Sequence, residues 1–325
     1  MKAIVYSQYG SPDVLQFKEV EKPAPKEDEV LIKVHAASLN AADWHYLRGA
    51  PFLFRLDTGF PKPKNPFLGA DLAGRVESVG RNVTQFQPGD EVFGDLSESG
   101  RGTFAEYVCA NENALALKPA NISYEEAAAV PMAAVVALQG LRTGKIQPEQ
   151  KVLIYGASGG VGTFAVQIAK SFGAEVTAVV RTRKLDLLRS IGADHVIDYT
   201  QEDFTQNGQS YDLIFAANGY RSLSDYKRAL SLRGTYVMSG GDMAQMVQAM
   251  LLGSWMSRNG TQTMRNSAAK PNQKDLFFVK ELLETGKVVP IIDRCYPLGE
   301  VADAIRYLEE GHARGKIVIT VTTSQ

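Results

Sequence analysis

The chain carries its densest chemical signal at Val152-Leu153-Ile154-Tyr155-Gly156-Ala157-Ser158-Gly159-Gly160-Val161-Gly162. An apolar run of strand length passes straight into glycines. A segment of helical spacing then begins, Thr163–Phe172, with Phe164, Val166, Ile168 and Ala169 apolar. From Ala157 the turn reads A-x-G-x-x-G, a dinucleotide fingerprint with alanine at its first position. Gly159 lets backbone approach a pyrophosphate without a Cβ clash, and Gly162 lets the helix pack closely on its strand. Free N–H groups at the helix N-terminus then hold the phosphates. Ala157, Ser158, Gly159, Gly160, Val161 and Gly162 are the predicted cradle. A purely structural glycine turn is the alternative, and the strand–turn–helix context speaks against it.

Charge selects the dinucleotide. NAD sites place an Asp or Glu about 20 residues on, at the end of the second strand, for the ribose hydroxyls. Here that strand, Glu175–Val180, ends in Arg181-Thr182-Arg183-Lys184, with no carboxylate at its tip. Cations and a hydroxyl suit a 2′-phosphate, so NADPH is expected rather than NADH. A solvated basic helix start is the competing reading.

The elements that must position these residues fall into two patterns. The first third is β-rich, with short runs at Ala3–Tyr6, Glu29–Ala36, Ala73–Val79 and Glu91–Gly94 set off by Gly, Pro and Asp. Arg48 to Pro66 has no period and reads as a long surface loop, whose aromatics Phe52, Phe54 and Phe60, with Phe67 beyond, form a candidate apolar wall. From Lys151 onward strands alternate with helices: His195–Ile197, Asp212–Ala216 and Thr235–Met238 as strands, Thr182–Ser190 and Ser222–Leu230 as helices. That alternation indicates βαβ units and a parallel sheet. Lys274–Gly286 and Val301–Glu310 are amphipathic helices, and Ile317–Val321 is a closing strand.

The bulk numbers narrow the class. At 325 residues two domains are expected. A net charge of −1 gives no footprint for nucleic acid or an anionic membrane. Two distant cysteines, Cys109 and Cys295, suggest no disulfide framework and fit a reducing compartment. The N-terminus does not read as a signal peptide, and the longest apolar stretch, Ala127–Leu138, is too short to span a bilayer. A cytoplasmic protein is the expectation.

Further motifs carry a family likeness: Ser38-Leu39-Asn40-Ala41-Ala42-Asp43-Trp44, Gly69-Ala70-Asp71-Leu72-Ala73-Gly74, Gly89-Asp90-Glu91-Val92-Phe93-Gly94, Ala128-Ala129-Val130-Pro131, Gly192-Ala193-Asp194-His195-Val196-Ile197-Asp198-Tyr199 and Gly311-His312-Ala313-Arg314-Gly315-Lys316. With the glycine turn, the chain resembles the medium-chain dehydrogenase/reductase superfamily, in its zinc-free quinone oxidoreductase branch. The resemblance implies an α/β fold: a GroES-like β-barrel catalytic domain over 1–121, completed by 269–325, with a Rossmann doubly wound parallel-sheet domain over 122–268 inserted. It implies NADPH as cofactor, a small apolar carbonyl or quinone as substrate, and a homodimer formed through an edge strand at Thr261–Asn266.

Zinc-dependent relatives need three converging protein ligands. No Cys stands near Asn40, their Gly-His-Glu reads Gly69-Ala70-Asp71, and the segment between Gly94 and Phe104 has no cysteine for a structural lobe. No metal site is predicted. Without a Lewis acid, acceptors that delocalise the incoming charge are favoured, namely quinones and α,β-unsaturated carbonyls. The resemblance places Asn40 by the nicotinamide and ribose, and His45 or Tyr46 where several relatives carry a tyrosine donor; a packing role for each stays open. It further implies cofactor contacts from Tyr199, Asn218, Ser239 and Gly240, and from Lys316 at the site's edge. Reduction of simple aldehydes or ketones, and a weakly catalytic NADPH-binding sensor, are the alternatives.

Overall fold

The computed structural model describes residues 1–52, 55–241 and 261–321. The chain opens with a short antiparallel pair, β1 (Lys2–Val5) and β2 (Gln16–Glu19). β3 (Glu29–Ser38), rich in β-branched and small apolar residues, is the longest strand and is buried over most of its length. It leads through Leu39 and Asn40 into α1 (Ala41–Arg48). The helix starts there because the Asp43 carboxylate, in its first turn, accepts the Asn40 N–H at 2.7 Å. It stops at Gly49, whose φ of 56° is the left-handed conformation that glycine adopts without strain. A single turn, α2 (Arg55–Thr58), interrupts the stretch expected to be loop.

β4 (Asp71–Val79), β5 (Glu91–Asp95), β6 (Tyr107–Asn111) and β7 (Leu115–Leu117) follow, then α3 (Tyr124–Ala128) and α4 (Pro131–Thr143). The alternating region comprises β8 (Lys151–Tyr155), α5 (Gly160–Ser171), β9 (Glu175–Val180), α6 (Leu185–Ser190), β10 (His195–Asp198), β11 (Tyr211–Ala216), α7 (Leu223–Ala229), β12 (Leu230–Met238) and β13 (Thr263–Asn266). The chain closes with α8 (Gln273–Glu284), β14 (Ile292–Pro297), α9 (Val301–Glu309) and β15 (Lys316–Thr320).

Two compact units result. The first comprises residues 1–132, 271–284 and 290–325, the second 133–270 and 285–289. In the first, a sheet runs β14-β15-β3-β4-β5-β7, with β6 also paired to β3. Its ladders are antiparallel except β14–β15. Register brings three strand ends into one row: Val318 opposite Ser38, Ser38 opposite Asp71, and Asp71 opposite Asp95. Ile32, Leu47, Leu68, Leu72 and Phe104 are fully buried in this unit, and the apolar face of α9 adds Val301, Ala304 and Ile305 to the same core. Burial of side chains this size stabilises by about 1.5–3 kcal/mol each.

In the second unit all strands are parallel, in the order β10-β9-β8-β11-β12-β13. That is the doubly wound order 3-2-1-4-5-6, and its direction reverses between β8 and β11. Ligands of such sheets bind outside the strand C-termini at that reversal. β8 can run buried from Val152 to Tyr155 because parallel strands in the middle of a sheet are covered on both faces. Among the described residues β13 is the outermost strand on its side and pairs only with β12.

Candidate active site

The glycine turn lies at the reversal point of the second unit. Gly156 follows β8 with φ 76°, which calls for glycine. Gly162 is fixed by packing: a Cβ there would run into the Gly156 carbonyl oxygen and the Ala157 backbone. Gly159 is different. It is the N-cap of α5 with ordinary φ −80° and ψ 175°, and the nearest atom to an added Cβ is the Gly156 oxygen at 3.7 Å. No atom of the protein packs against the position of a Gly159 side chain closely enough to demand glycine there. The amides of Gly160, Val161 and Gly162, in the first turn of α5, have no acceptor within the helix.

The ends of the neighbouring strands come to the same place. The backbone N and Cβ of Asn218 lie 3.1 Å from where a Gly156 side chain would sit. The Gly219 N–H donates to the Gly240 carbonyl at 2.9 Å. Ser239 Oγ is buried and has no hydrogen-bond partner among the described residues. A buried hydroxyl without a partner is costly unless a ligand supplies one. The turn, Asn218, Ser239 and Gly240 thus lie at the C-terminal ends of the neighbouring strands β8, β11 and β12, and of Gly156, Gly159, Gly162 and Gly240 only at Gly159 would an added Cβ meet nothing closer than 3.7 Å.

Farther along the sheet, Arg181, Thr182 and Arg183 are exposed at the end of β9 and Lys184 is half-buried. The Arg181 guanidinium lies 5.9 Å from the centre of the Tyr199 ring. One residue here escapes a reading of the β9 tip alone. Parallel pairing of β10 with β9 sets Asp198 beside Val180. Its carboxylate accepts from the Thr182 hydroxyl, and from the Thr200 N–H at 2.9 Å and hydroxyl at 2.7 Å. The Thr182 bond, above all, holds Asp198 below the usual carboxylate range. A carboxylate therefore does stand next to the cations, contributed by the third strand, and it occupies the Thr182 hydroxyl. Arg181 and Arg183 are exposed cations on either side of Thr182.

The first unit holds a buried ionic cluster at the junction of β3 and α1. Lys316 and Asp71 are 3% and 0% exposed. The Lys316 ammonium donates to Leu39 O at 3.0 Å and Asn40 Oδ1 at 2.6 Å, and lies 3.3 Å from Asp71 Oδ2. Asp71 Oδ2 also accepts from Ser38 Oγ at 3.0 Å and Asn40 Nδ2 at 2.9 Å, and Oδ1 accepts from the Met132 N–H at 2.9 Å. Asp43 accepts the Gly69 N–H at 3.2 Å besides that of Asn40, yet burial pushes it up to about 6. Asp95 accepts the Ser97 N–H at 2.8 Å. Burial, and then the charge of Asp71 opposite, push it up to about 7.

Of the sequence-predicted residues in this unit, Asn40 and Lys316 therefore meet. The three hydrogens of Lys316 point to Leu39, Asn40 and Asp71, leaving none for a nucleotide. Ser38, Asp71 and Asp95 join them only because strand register aligns them, a relation no linear spacing announces. His45 and Tyr46 stand farther along α1. His45 Nδ1 is 3.0 Å from the Ala50 carbonyl, which can only accept, so that nitrogen carries the hydrogen. The neutral ring then offers Nε2 as an acceptor, and only the imidazolium could donate outward. Tyr46 lies under the Arg101 guanidinium, 3.3 Å from ring centre. Phe52 and Phe60 meet edge-on at 6.0 Å, 61% and 66% exposed; Phe54 lies outside the described residues.

The other histidines have structural surroundings. His35 stacks on Tyr124 with centres 4.2 Å apart, His195 Nε2 is 2.9 Å from Glu175, and His312 Nδ1 is 3.7 Å from Glu310. Among the described residues no three His, Cys, Asp or Glu side chains form a group able to hold a metal ion. Nor is any described helix long and apolar enough to cross a membrane.

Comparison with known proteins gives the following. The model of the alcohol dehydrogenase GroES-like domain matches residues 26–120, and that of the zinc-binding dehydrogenase family matches 191–319. The latter stretch contains a single cysteine, Cys295. The 2-methylene-furan-3-one reductase of Solanum lycopersicum is 38% identical over 98% of this chain and 79% of its own. The chloroplastic NADPH-dependent alkenal/one oxidoreductase of Arabidopsis thaliana is 37% identical over the same shares. Among solved structures, the quinone oxidoreductase of Coxiella burnetii superposes with a TM-score of 0.86, at 30% identity and 99% coverage of both chains.

Proposed function

Because the chain belongs to the medium-chain dehydrogenase/reductase superfamily, we propose that it oxidises NADPH and delivers the hydride to a quinone or an α,β-unsaturated carbonyl without a metal. The observation that carries the reading is Gly159, a glycine that the fold does not need and an approaching pyrophosphate does. The crevice formed by the α5 N-terminus, Asn218, Ser239 and Gly240 would hold the pyrophosphate and nicotinamide ends. Arg181 and Arg183 would read the 2′-phosphate, with Tyr199 beside them at the adenosine. Bound NADPH supplies the hydride; the acceptor takes it up together with a proton and delocalises the charge itself. The substrate class follows from the relatives, which act on enones, alkenals and quinones by name.

The test replaces Gly159 by Ala. Its φ is allowed for alanine and the Cβ has room, so circular dichroism should match the parent and stability should fall by no more than the roughly 1 kcal/mol that alanine costs at an N-cap, while NADPH binds about tenfold or more weakly, a loss of about 1.4 kcal/mol. The parent should oxidise NADPH with a quinone or a 2-alkenal at a rate that a chelator leaves unchanged. An unaltered Kd in the variant would remove the cradle assignment, and a chelator-sensitive rate would remove the metal-free chemistry. The same reading includes a two-fold dimer in which the outer edge of β13, unpaired among the described residues, continues the sheet into a second copy. Sedimentation at micromolar concentration should then give twice 35.4 kDa; a monomer mass sinks that part alone.

A further inference from the structure

We propose that Lys316 and Asp71 are positioning residues that fix which way the Asn40 side-chain amide faces. The inference rests on the hydride-transfer reading above for its kinetic consequence. Its structural content stands on the geometry of the first unit. The Asn40 amide is gripped at both ends by opposite charges. Its oxygen accepts from the Lys316 ammonium at 2.6 Å, and its nitrogen donates to Asp71 Oδ2 at 2.9 Å. The hydrogen-bond partners of Asp71, namely Ser38, Asn40, Lys316 and the Met132 N–H, are all donors. A carboxylate so surrounded is an anion.

An asparagine amide can ordinarily turn by half a circle, exchanging its oxygen and nitrogen at modest cost. Here the flipped form would set NH₂ against an ammonium and oxygen against a carboxylate. Both contacts would be repulsive, and both lie in a buried place where charges are poorly screened. The pair therefore admits one orientation. The backbone is pinned as well, since the Asn40 N–H is spent on Asp43 at 2.7 Å. One amide N–H of Asn40 remains for an outside partner, on a fixed side. Donation from the ammonium into Oδ1 also polarises the amide and makes that remaining N–H a stronger donor.

Stability alone does not account for the arrangement. Burying a lysine and an aspartate usually gains little over apolar residues of the same volume. The cluster also sets Asp95 directly opposite Asp71 on the neighbouring strand, an unfavourable cross-strand pairing of two carboxyls. What the charges contribute, and apolar residues would not, is a direction for the amide.

The experiment compares K316M, D71N and K316M/D71N with the parent by Tm, by NADPH binding, by steady-state reduction of a quinone and a 2-alkenal, and by the side-chain amide resonances of Asn40 in ¹⁵N-labelled protein, assigned by their loss in N40S. Each single variant strands a buried charge and should lower Tm. The double variant strands none and should recover most of it. We expect its kcat to stay at least tenfold down with the KM for NADPH within about threefold, and the Asn40 amide to show shifted or doubled resonances from two orientations. Should the double variant fail to fold, D71N carries the test, because it removes the anion and leaves the ammonium on Oδ1. Recovery of both kcat and parent-like amide resonances along with Tm would reduce the pair to a structural role and overturn the inference. A parent protein that turns over no quinone or enone would instead remove the hydride-transfer reading; the amide resonances would still decide this one.

Discussion

Asp95→Asn is expected to stabilise the protein most at pH 8, less than half as much at pH 5, and hardly at all below the ordinary aspartate range. Asp95 is 8% exposed and sits across the β4–β5 ladder from Asp71. Its carboxyl is raised from 3.8 to about 7, first by burial and then by the Asp71 charge. The folded state thus binds a proton that the unfolded chain has already released between those two values. Stability falls as pH rises through that window, because the unfolded state binds fewer protons there. The full shift corresponds to about 4 kcal/mol at pH 8, at about 1.4 kcal/mol per unit. Asparagine keeps the shape and can still accept the Ser97 N–H, yet it never has to ionise. A gain of about 2–4 kcal/mol at pH 8 is expected, or several degrees in Tm for a unit of this size. Asp43, raised to about 6 chiefly by burial, adds a decline of the same sign between about pH 4 and 6 in both proteins. Urea denaturation at pH 5, 6, 7 and 8 measures the difference. A gain that is equal at all four values, or absent at pH 8, would show that Asp95 is not held protonated and that the charge count of the cluster is wrong.

A second expectation concerns the phosphate readers. Arg181→Asp combined with Arg183→Ala should weaken NADPH by about 2 kcal/mol or more while NADH changes little, since each charge-assisted bond to a phosphate contributes about 1.5–3 kcal/mol. Calorimetric titration with both nucleotides checks it, and an equal loss for the two would place the 2′-phosphate elsewhere.

The glycine turn and the parallel sheet were legible in the sequence because both are local. A buried strand, a turn that only glycine can make and a helix of period 3.6 follow one another within about twenty residues, and each obeys rules that need no distant partner. The amphipathic helix expected at Lys274–Gly286 is α8 for the same reason. β6 and β14 were not legible. Tyr-Val-Cys-Ala-Asn and Ile-Asp-Arg-Cys-Tyr-Pro show no strong alternation, and β14 is half-exposed along its length. They are strands because β3 and β15 present open edges to pair with. α1 was visible only as a motif, since its start depends on one carboxylate folding back onto the Asn40 N–H.

The candidate site divides along the same line. Composition and spacing determined that a glycine turn joins a buried strand to a helix, that cations follow the second strand, and that no set of zinc ligands is spelled out. They could not place Asp198 beside Thr182, because that contact is made by pairing between β9 and β10. Nor could they assemble Ser38, Asn40, Asp71 and Lys316. The last two are separated by 245 positions along the chain and meet only because β3, β4 and β15 align their ends. Local sequence specifies what each backbone segment can do alone; the register of non-local ladders decides which buried charges must share one small space.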